Sequence, residues 1–190
     1  MTVNLTPPTL HRMFSGPLMA EELERRYLRA LQTVYRLEPR MFGVDAAGAE
    51  LDPAAAIMRA VDVTLPVIDW DTPQRVDGIT PNQQRITLIS YPTTGETGPL
   101  TWTPQERQIG MPPEHFGLTG NSLTITVIGR TITAERLATV SARVRRHVDT
   151  NRAHQSAQLL TWREDTTRRI RDAVASRRAL LATLPDQPSA

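Results

Sequence analysis

Residues 144–160 read VRRHVDTNRAHQSAQLL, and this stretch decides how the chain is interpreted. It lies within residues 131–184, a run that contains neither glycine nor proline, the residues that most often end a helix. Apolar residues flank the stretch at helical spacing, whereas its centre carries asparagine, histidines and glutamines. That polar centre could be an active site, a nucleic-acid contact, or a pin that fixes the alignment of packed helices.

The length of this helical run restricts how it can be buried. A single helix from Thr133 to Leu184 would extend roughly 75 Å, which is too long for one small sheet to cover. It either folds into a hairpin near residues 149–155 or projects as a coiled coil that pairs with another chain. The predicted partner-binding seam comprises Val144, Val148, Asn151, His154, Leu159, Ile170 and Val174. Polar residues in an apolar seam fix its alignment, so Asn151 is expected to set the register with a partner.

The part of the chain before Thr131 predicts a small α+β domain. Residues 19–37 repeat apolar side chains at helical spacing, and the Asp-Pro pair at 52–53 opens a short helix to about residue 60. Residues 85–91 and 123–128 alternate as strands do, which predicts a small, mostly antiparallel sheet of about three to four strands. The expected fold class is α+β, with an N-terminal helix, this sheet, and a long C-terminal helical hairpin or coiled coil. The expected division is a small α+β domain (1–130), an arginine-rich helical segment (131–186) and a tail (187–190).

The composition excludes several kinds of chemistry. All 22 basic residues are arginine, so no lysine can form a Schiff base or serve a phosphate-binding loop. The chain has no cysteine, which removes thiol nucleophiles, disulfides and cysteine zinc sites. His147 and His154 are two helical turns apart, about 10 Å along one helix, so they cannot share a metal. No cofactor and no metal are expected.

No part of the sequence predicts a membrane span or a secretory signal. The chain lacks a run of about 18 apolar residues, and its first residues lack a basic region followed by an apolar stretch. A cytoplasmic protein with no membrane association is therefore expected, either alone or as a segment of a larger chain.

The arginines of the long helix are candidates for nucleic-acid contacts. Residues 134–186 hold 11 arginines against six acidic residues, and arginine binds phosphate with bidentate geometry. The candidate phosphate contacts are Arg145, Arg146, Arg152, Arg168 and Arg169. The arginines are spread around the helix and have acidic neighbours, however, so a solvated helix face is the favoured interpretation.

Paired acids offer the main argument for an enzyme. Asp69 and Asp71 would lie on one side of an extended segment, where they could hold Mg²⁺ or share a proton, and a histidine could complete a hydrolase or nucleotide-binding site. The following Thr72-Pro73 favours an ordinary Asx turn instead. The loop at residues 91–98, YPTTGETG, could cradle an anion, but a hairpin turn is the favoured interpretation. An enzyme is therefore the less favoured class, and no catalytic residue is assigned.

Three fragments together resemble a known kind of protein: ISYPTTGETGPL (89–100), VDTNRAHQSAQLL (148–160) and RRIRDAVASRRALL (168–181). Their succession is similar to accessory regions of bacterial antiviral-defence proteins that carry restriction-endonuclease-like or TIR effector domains. The resemblance implies a partner-binding or sensing portion, since the catalytic residues of such effectors find no positions in this chain.

The leading hypothesis from the sequence is a non-catalytic interaction or sensing module of a bacterial intracellular complex. It would bind a protein partner, or a second copy of itself, through the long C-terminal helix. Nucleic-acid binding by the arginine-rich helix is the first alternative, and an enzyme that uses Asp69, Asp71 and a histidine is the second.

Overall fold

A computed structural model describes residues 3–46, 48–106 and 115–184 of the chain. In this part of the chain the helices are α1 (Met19–Tyr35), α2 (Pro53–Val61) and α3 (Ala134–Thr183), and short 3₁₀ helices occupy Pro39–Phe42 and Gly98–Thr101. The strands are β1 (Val67–Ile68), β2 (Gln74–Ile79), β3 (Arg85–Thr94), β4 (His115–Thr119) and β5 (Ser122–Gly129). The predicted α+β class, with an antiparallel sheet and a long C-terminal helix, is confirmed.

The C-terminal helix α3 is one continuous helix of 50 residues. The structure therefore does not contain the hairpin that was one of the two alternatives for this segment. A coiled coil with another chain stays a prediction. The predicted tail at 187–190 lies outside the described residues.

The helix starts follow from side-chain caps that were visible in the sequence. The carboxylate of Asp52 accepts a hydrogen bond from Ala55 N at 2.9 Å, and Pro53 occupies the first turn of α2. The hydroxyl of Thr133 accepts from Arg136 N at 3.2 Å at the start of α3. Each cap satisfies a backbone donor that has no partner within the helix.

The described residues group into two compact units. The sheet unit contains residues 3–19 and Thr64–Ala157, and the helical unit contains Ala20–Val63 and the described residues from Gln158 onward. Because the limit between the units falls at residues 157–158, α3 contributes its first part to the sheet unit and its second part to the helical unit.

The sheet is antiparallel and is organised around β3. Strand β5 pairs along one edge of β3, and β4 pairs with β5 on the far side. The other edge of β3 pairs with β2 over residues 85–90 and with β1 over residues 93–94. Strands β3 and β5 were expected from their alternation, whereas β2 and β4 were not.

The N-terminal segment, residues 3–19, forms hydrogen bonds with strands on both edges of the sheet. On β2, Ile79 donates to Val3 O and accepts from Leu5 N, both at 3.0 Å. On β4, Leu118 exchanges two bonds with His11, at 2.9 and 3.0 Å. These bonds could not be predicted from the sequence, because both partner strands are distant along the chain and leave no local pattern.

Two glycines allow this segment to approach the sheet closely. A Cβ atom at Gly117 would lie 2.5 Å from His11 O, and one at Gly78 would lie 2.5 Å from Val3 O. No side chain fits at either position unless the N-terminal segment moves away from its strand.

The sheet unit and the helical unit each have a separate apolar core. In the sheet unit, α3 contributes a stripe at three- and four-residue spacing, Leu137, Val140, Val144 and Val148. It packs with sheet residues that include Leu123, Ile125 and Val127. The core of the helical unit consists of Tyr27, Ala30, Val34, Leu37, Ala54, Ile57, Ile170 and Val174. A fully buried large aliphatic side chain contributes about 1.5–3 kcal/mol, so each stripe is a major source of stability for its unit.

Replacement of Gly117 tests the close approach of the N-terminal segment. We expect Gly117→Ala to lower the free energy of unfolding by about 1–3 kcal/mol, because the new methyl group displaces His11 and two backbone hydrogen bonds. Chemical denaturation measures the change. Gly98→Ala is the matched control, since no atom lies within 4 Å of its added Cβ. Equal effects for the two variants would contradict the proposed contact.

Candidate functional site

The polar centre of α3 contacts the chain's own sheet unit. The amide nitrogen of Gln155 donates to the carbonyl oxygens of Pro99 and Trp102, both at 2.9 Å, and the side chain is fully buried. The amide of Asn151 donates to His147 O at 2.9 Å, one turn back on the same helix. The two amides are therefore used within the chain, and Gln155 joins α3 to the loop at residues 99–102.

His147 is a buried side chain in this region. Its ring lies between those of Phe14 and Phe116, at centroid distances of 6.1 and 5.7 Å. Its Nε2 lies 3.4 Å from the Asn151 amide nitrogen, while its Nδ1 is buried without a hydrogen bond. Burial lowers the pKa of His147 from its ordinary value of 6.5, because the charged form loses solvation. The neutral ring is therefore favoured in the folded protein.

The predicted partner-binding seam is divided between packing positions in the two units. Val144, Val148 and Asn151 are buried in the sheet unit, while Leu159, Ile170 and Val174 are buried in the helical unit. His154 is partly exposed, and its Nδ1 lies 3.9 Å from a carboxylate oxygen of Glu106. A partner-binding role for these seven residues stays a prediction, and it would require most of them to leave their present contacts.

Four of the five candidate phosphate-binding arginines have intrachain contacts. Arg145 lies 5.5 Å above the Trp70 ring, and Arg152 donates to Pro66 O at 2.7 Å. Arg169 lies 3.6 Å above the Tyr27 ring, and Arg168 pairs with Asp165. Arg146, the fifth, is exposed and has no partner among the described residues. Nucleic-acid binding by this set stays a prediction, but only Arg146 could bind a phosphate without losing a present contact.

Two further arginines of α3 hold the helical unit together. Arg163 donates to a carboxylate oxygen of Asp62 at 2.7 Å and to Val63 O at 2.5 Å, just beyond the end of α2. Arg177 donates to Leu37 O at 3.2 Å, just beyond the end of α1. Sequence reasoning assigned them to a solvated face, because the position of a helix end cannot be inferred from charge.

The paired acids form the Asx turn that their sequence favours. Asp69 accepts from Asp71 N at 3.0 Å and from the Thr72 hydroxyl at 2.5 Å. The Thr72 hydroxyl, followed by the backbone bond from Asp71, lowers the pKa of Asp69 below its usual range. Both carboxylates are exposed, and no group of three or more acidic or histidine residues in the described part of the chain could hold a metal ion. No helix among these residues has an apolar stretch long enough to cross a membrane.

The helical unit contains an open groove that sequence reasoning missed. Its volume is about 880 Å³, and its lining comes from the end of α1, the 3₁₀ helix at 39–42, the segment 50–52 and α2. The apolar part of the lining comprises Leu37, Met41, Leu51, Pro53, Ala55, Ala56, Ile57 and Ala60. Met41 and Leu51 remain 36% and 38% exposed, and nearby in sequence Val44 is 65% exposed. The sequence did contain a sign of this groove. Met41, Val44 and Leu51 are large apolar residues in a segment that has neither helical nor strand periodicity.

Gln155→Glu tests the bridge from α3 to the loop. The substitution replaces a donor with a buried carboxylate that faces two carbonyl oxygens, so we expect the free energy of unfolding to fall by about 3–5 kcal/mol. Gln155→Met is the matched control, because methionine is of similar length and uncharged. We expect its free energy of unfolding to fall by about 1–3 kcal/mol, since it removes the donor without adding a charge. Denaturant titration at pH 7.5 compares the variants. A Met variant as stable as the wild type would show that the amide is not a required donor.

The buried imidazole of His147 predicts a dependence of stability on pH. A histidine whose pKa is lowered on folding binds its proton more readily in the unfolded chain, so stability is retained above pH 6.5 and decreases below it. We expect the melting temperature to fall between pH 7 and 5, and to fall less in His147→Gln. His154→Gln is the control, and its pH slope should match that of the wild type because His147 is retained. An unchanged slope in His147→Gln would contradict the interpretation.

Comparisons with known proteins add no family assignment to this arrangement. No family model matches the sequence, and neither a curated protein nor a solved structure matches the chain. The function is therefore argued from the contacts, the groove and the exposed side chains described above.

Proposed function

We propose that the protein is a non-catalytic protein–protein interaction module, and that the groove of the helical unit is its binding surface. The observation that carries the proposal is the groove itself, an open and mostly apolar depression of about 880 Å³ with partly exposed Met41 and Leu51 at its edge. A groove with apolar walls beside one face of a helix is a surface on which a partner segment can bury its own apolar side chains.

The titratable groups support an interaction module over an enzyme. Catalysis needs acids, bases or nucleophiles that converge on a cavity. Asp69 is engaged in its own turn, and His147 is buried between two aromatic rings. In the part of the chain that the structure describes, these groups do not support the enzyme alternative, which stays a prediction.

The proposal includes a partner, a location and a biological setting. The partner is another protein or a second copy of this chain. Exposed Leu180 on α3 and Leu184 just beyond its end offer a second surface for self-association, in line with the expectation from the sequence. The location is the cytoplasm, which the absence of cysteine fits. The setting suggested by the sequence resemblance, bacterial antiviral defence, stays a hypothesis.

Ala56→Arg tests whether the groove binds a protein. Ala56 is an exposed residue of α2 that lines the groove, and arginine is a good helix former, so the fold should be retained. An arginine at this position would place a long charged side chain in the apolar part of the groove. We expect recovery of the partner in affinity purification from the native cell to fall about tenfold, the equivalent of about 1.4 kcal/mol of binding free energy.

Ala179→Arg is the matched control, because Ala179 is an exposed residue of α3 outside the groove lining. Circular dichroism confirms that both variants are folded, and light scattering on the purified chain distinguishes a second copy from a different partner. Partner recovery or self-association that is the same in the two variants would refute the groove as the binding surface.

A further inference from the structure

The charges around the groove contain information about the occupant, provided that the groove is the binding surface proposed above. Its lining includes two acidic residues, Glu50 and Asp52, and two arginines, Arg40 and Arg59. These charges cancel in number, so the partner's charge depends on which of them are already committed within the chain.

The two acidic residues both have contacts within the chain, of different strength. Asp52 caps α2 through its 2.9 Å bond from Ala55 N. Glu50 lies 3.9 Å from Nη1 of Arg178, which is on α3 in the same unit. A partner that recruited Asp52 would compete with a helix cap, whereas the pair of Glu50 and Arg178 is a surface pair, with side chains 77% and 62% exposed.

The two arginines are more available to a ligand. Arg59 is exposed in the last turn of α2 and has no partner among the described residues. Arg40 pairs with Glu38 at 2.8 Å, but the two side chains are 79% and 54% exposed. Solvent screens such a surface pair, so it can exchange for a pair with a ligand at little cost. The same holds for the exposed pair of Glu50 and Arg178, so these two pairs offset each other, and Arg59 leaves the available charge at the rim positive.

The shape of the groove fits a helix. On α2, Pro53, Ala56, Ile57 and Ala60 follow the i, i+3, i+4, i+7 spacing of one helix face, and all of them line the groove. The small side chains of Ala56 and Ala60 let a partner backbone approach closely, and Leu37, Met41 and Leu51 supply larger apolar walls. With nine residues, α2 extends roughly 13 Å, enough to contact two to three turns of a partner helix.

We propose that this groove binds an amphipathic helix of a partner protein, with the apolar face of that helix in the groove and acidic residues on its flank beside Arg40 and Arg59. Helix-in-groove binding of this kind uses apolar anchors at i, i+3 or i+4, and i+7 for affinity. The flanking charges set the preference among helices with similar anchors.

A displayed library of amphipathic helices tests the occupant directly. Each member spans about five helical turns, with leucine, methionine or alanine on one face and glutamate, glutamine or lysine varied on the flanks. The full chain is the bait, and Ala56→Arg and Met41→Glu serve as two independent counter-selections in case one of them is misfolded. We expect sequences that are enriched on the wild type and lost on both variants, with glutamate favoured over lysine on one flank.

Arg59→Glu then tests the charge assignment, with affinities measured by fluorescence anisotropy on single peptides. We expect the affinity of a glutamate-flanked peptide to fall at least about fivefold in this variant, because an attraction becomes a repulsion. A lysine-flanked peptide should bind the variant more tightly than the wild type. Arg29→Glu is the matched control, since Arg29 is an exposed arginine of α1 outside the groove lining, and it should leave both affinities unchanged.

The outcomes separate the two proposals. Enriched helices that depend on the groove but show no acidic preference, or are indifferent to Arg59→Glu, would overturn the charge assignment and leave the interaction module standing. If no enriched sequence is sensitive to Ala56→Arg or Met41→Glu, the groove is not a helix-binding site and the proposed function loses its surface as well. A preference for lysine on the flank would also overturn this inference.

Discussion

The apolar stripe of α3 has to be covered along a helix of 50 residues, and this constraint governs the remaining elements. Neither unit covers the whole stripe, so the chain supplies two cores. The sheet covers the stripe as far as Val148, and α1 and α2 cover Ile170 and Val174. Between these stretches the helix becomes more polar, and its contacts there include hydrogen bonds from Arg152, Gln155 and Arg163 to backbone carbonyl oxygens, beside the buried side chain of Leu159.

In this chain without lysine, several arginine side chains form contacts that stabilise the fold. The guanidinium groups of Arg152, Arg163 and Arg177 all donate to backbone carbonyl oxygens, and Arg169 covers an aromatic ring. The planar guanidinium offers several fixed donors, so one side chain can satisfy a carbonyl and a carboxylate together, as Arg163 does. A basic composition therefore does not by itself indicate a nucleic-acid partner, because several of these guanidinium groups already have partners within the fold.

Local patterns predicted the elements whose formation depends on local interactions, and they failed where the cause was tertiary. The sequence showed the helix caps at Asp52 and Thr133, and helices begin at both positions. It also showed the alternation of residues 85–91 and 123–128, and the structure has strands there. Strand β2 was missed because its sequence, QRVDGI, is mostly exposed and has no apolar alternation. The bonds of Gln155 were missed because its partners are carbonyl groups of a distant loop, which carry no side-chain signal. The groove was missed because it depends on how α1, α2 and the segment between them fold back on each other.

The backbone hydrogen bonds of residues 3–19 can form only after the strands that they join have been synthesised. His11 leaves the ribosome roughly a hundred residues before Leu118, a delay of about 5–20 s at ordinary translation rates. Until then β4 does not exist, and the segment has no strand to join on that side. Residues 3–19 are thus made well before β4, the second of the strands that they join, and in the interval their backbone groups on that side lack these partners.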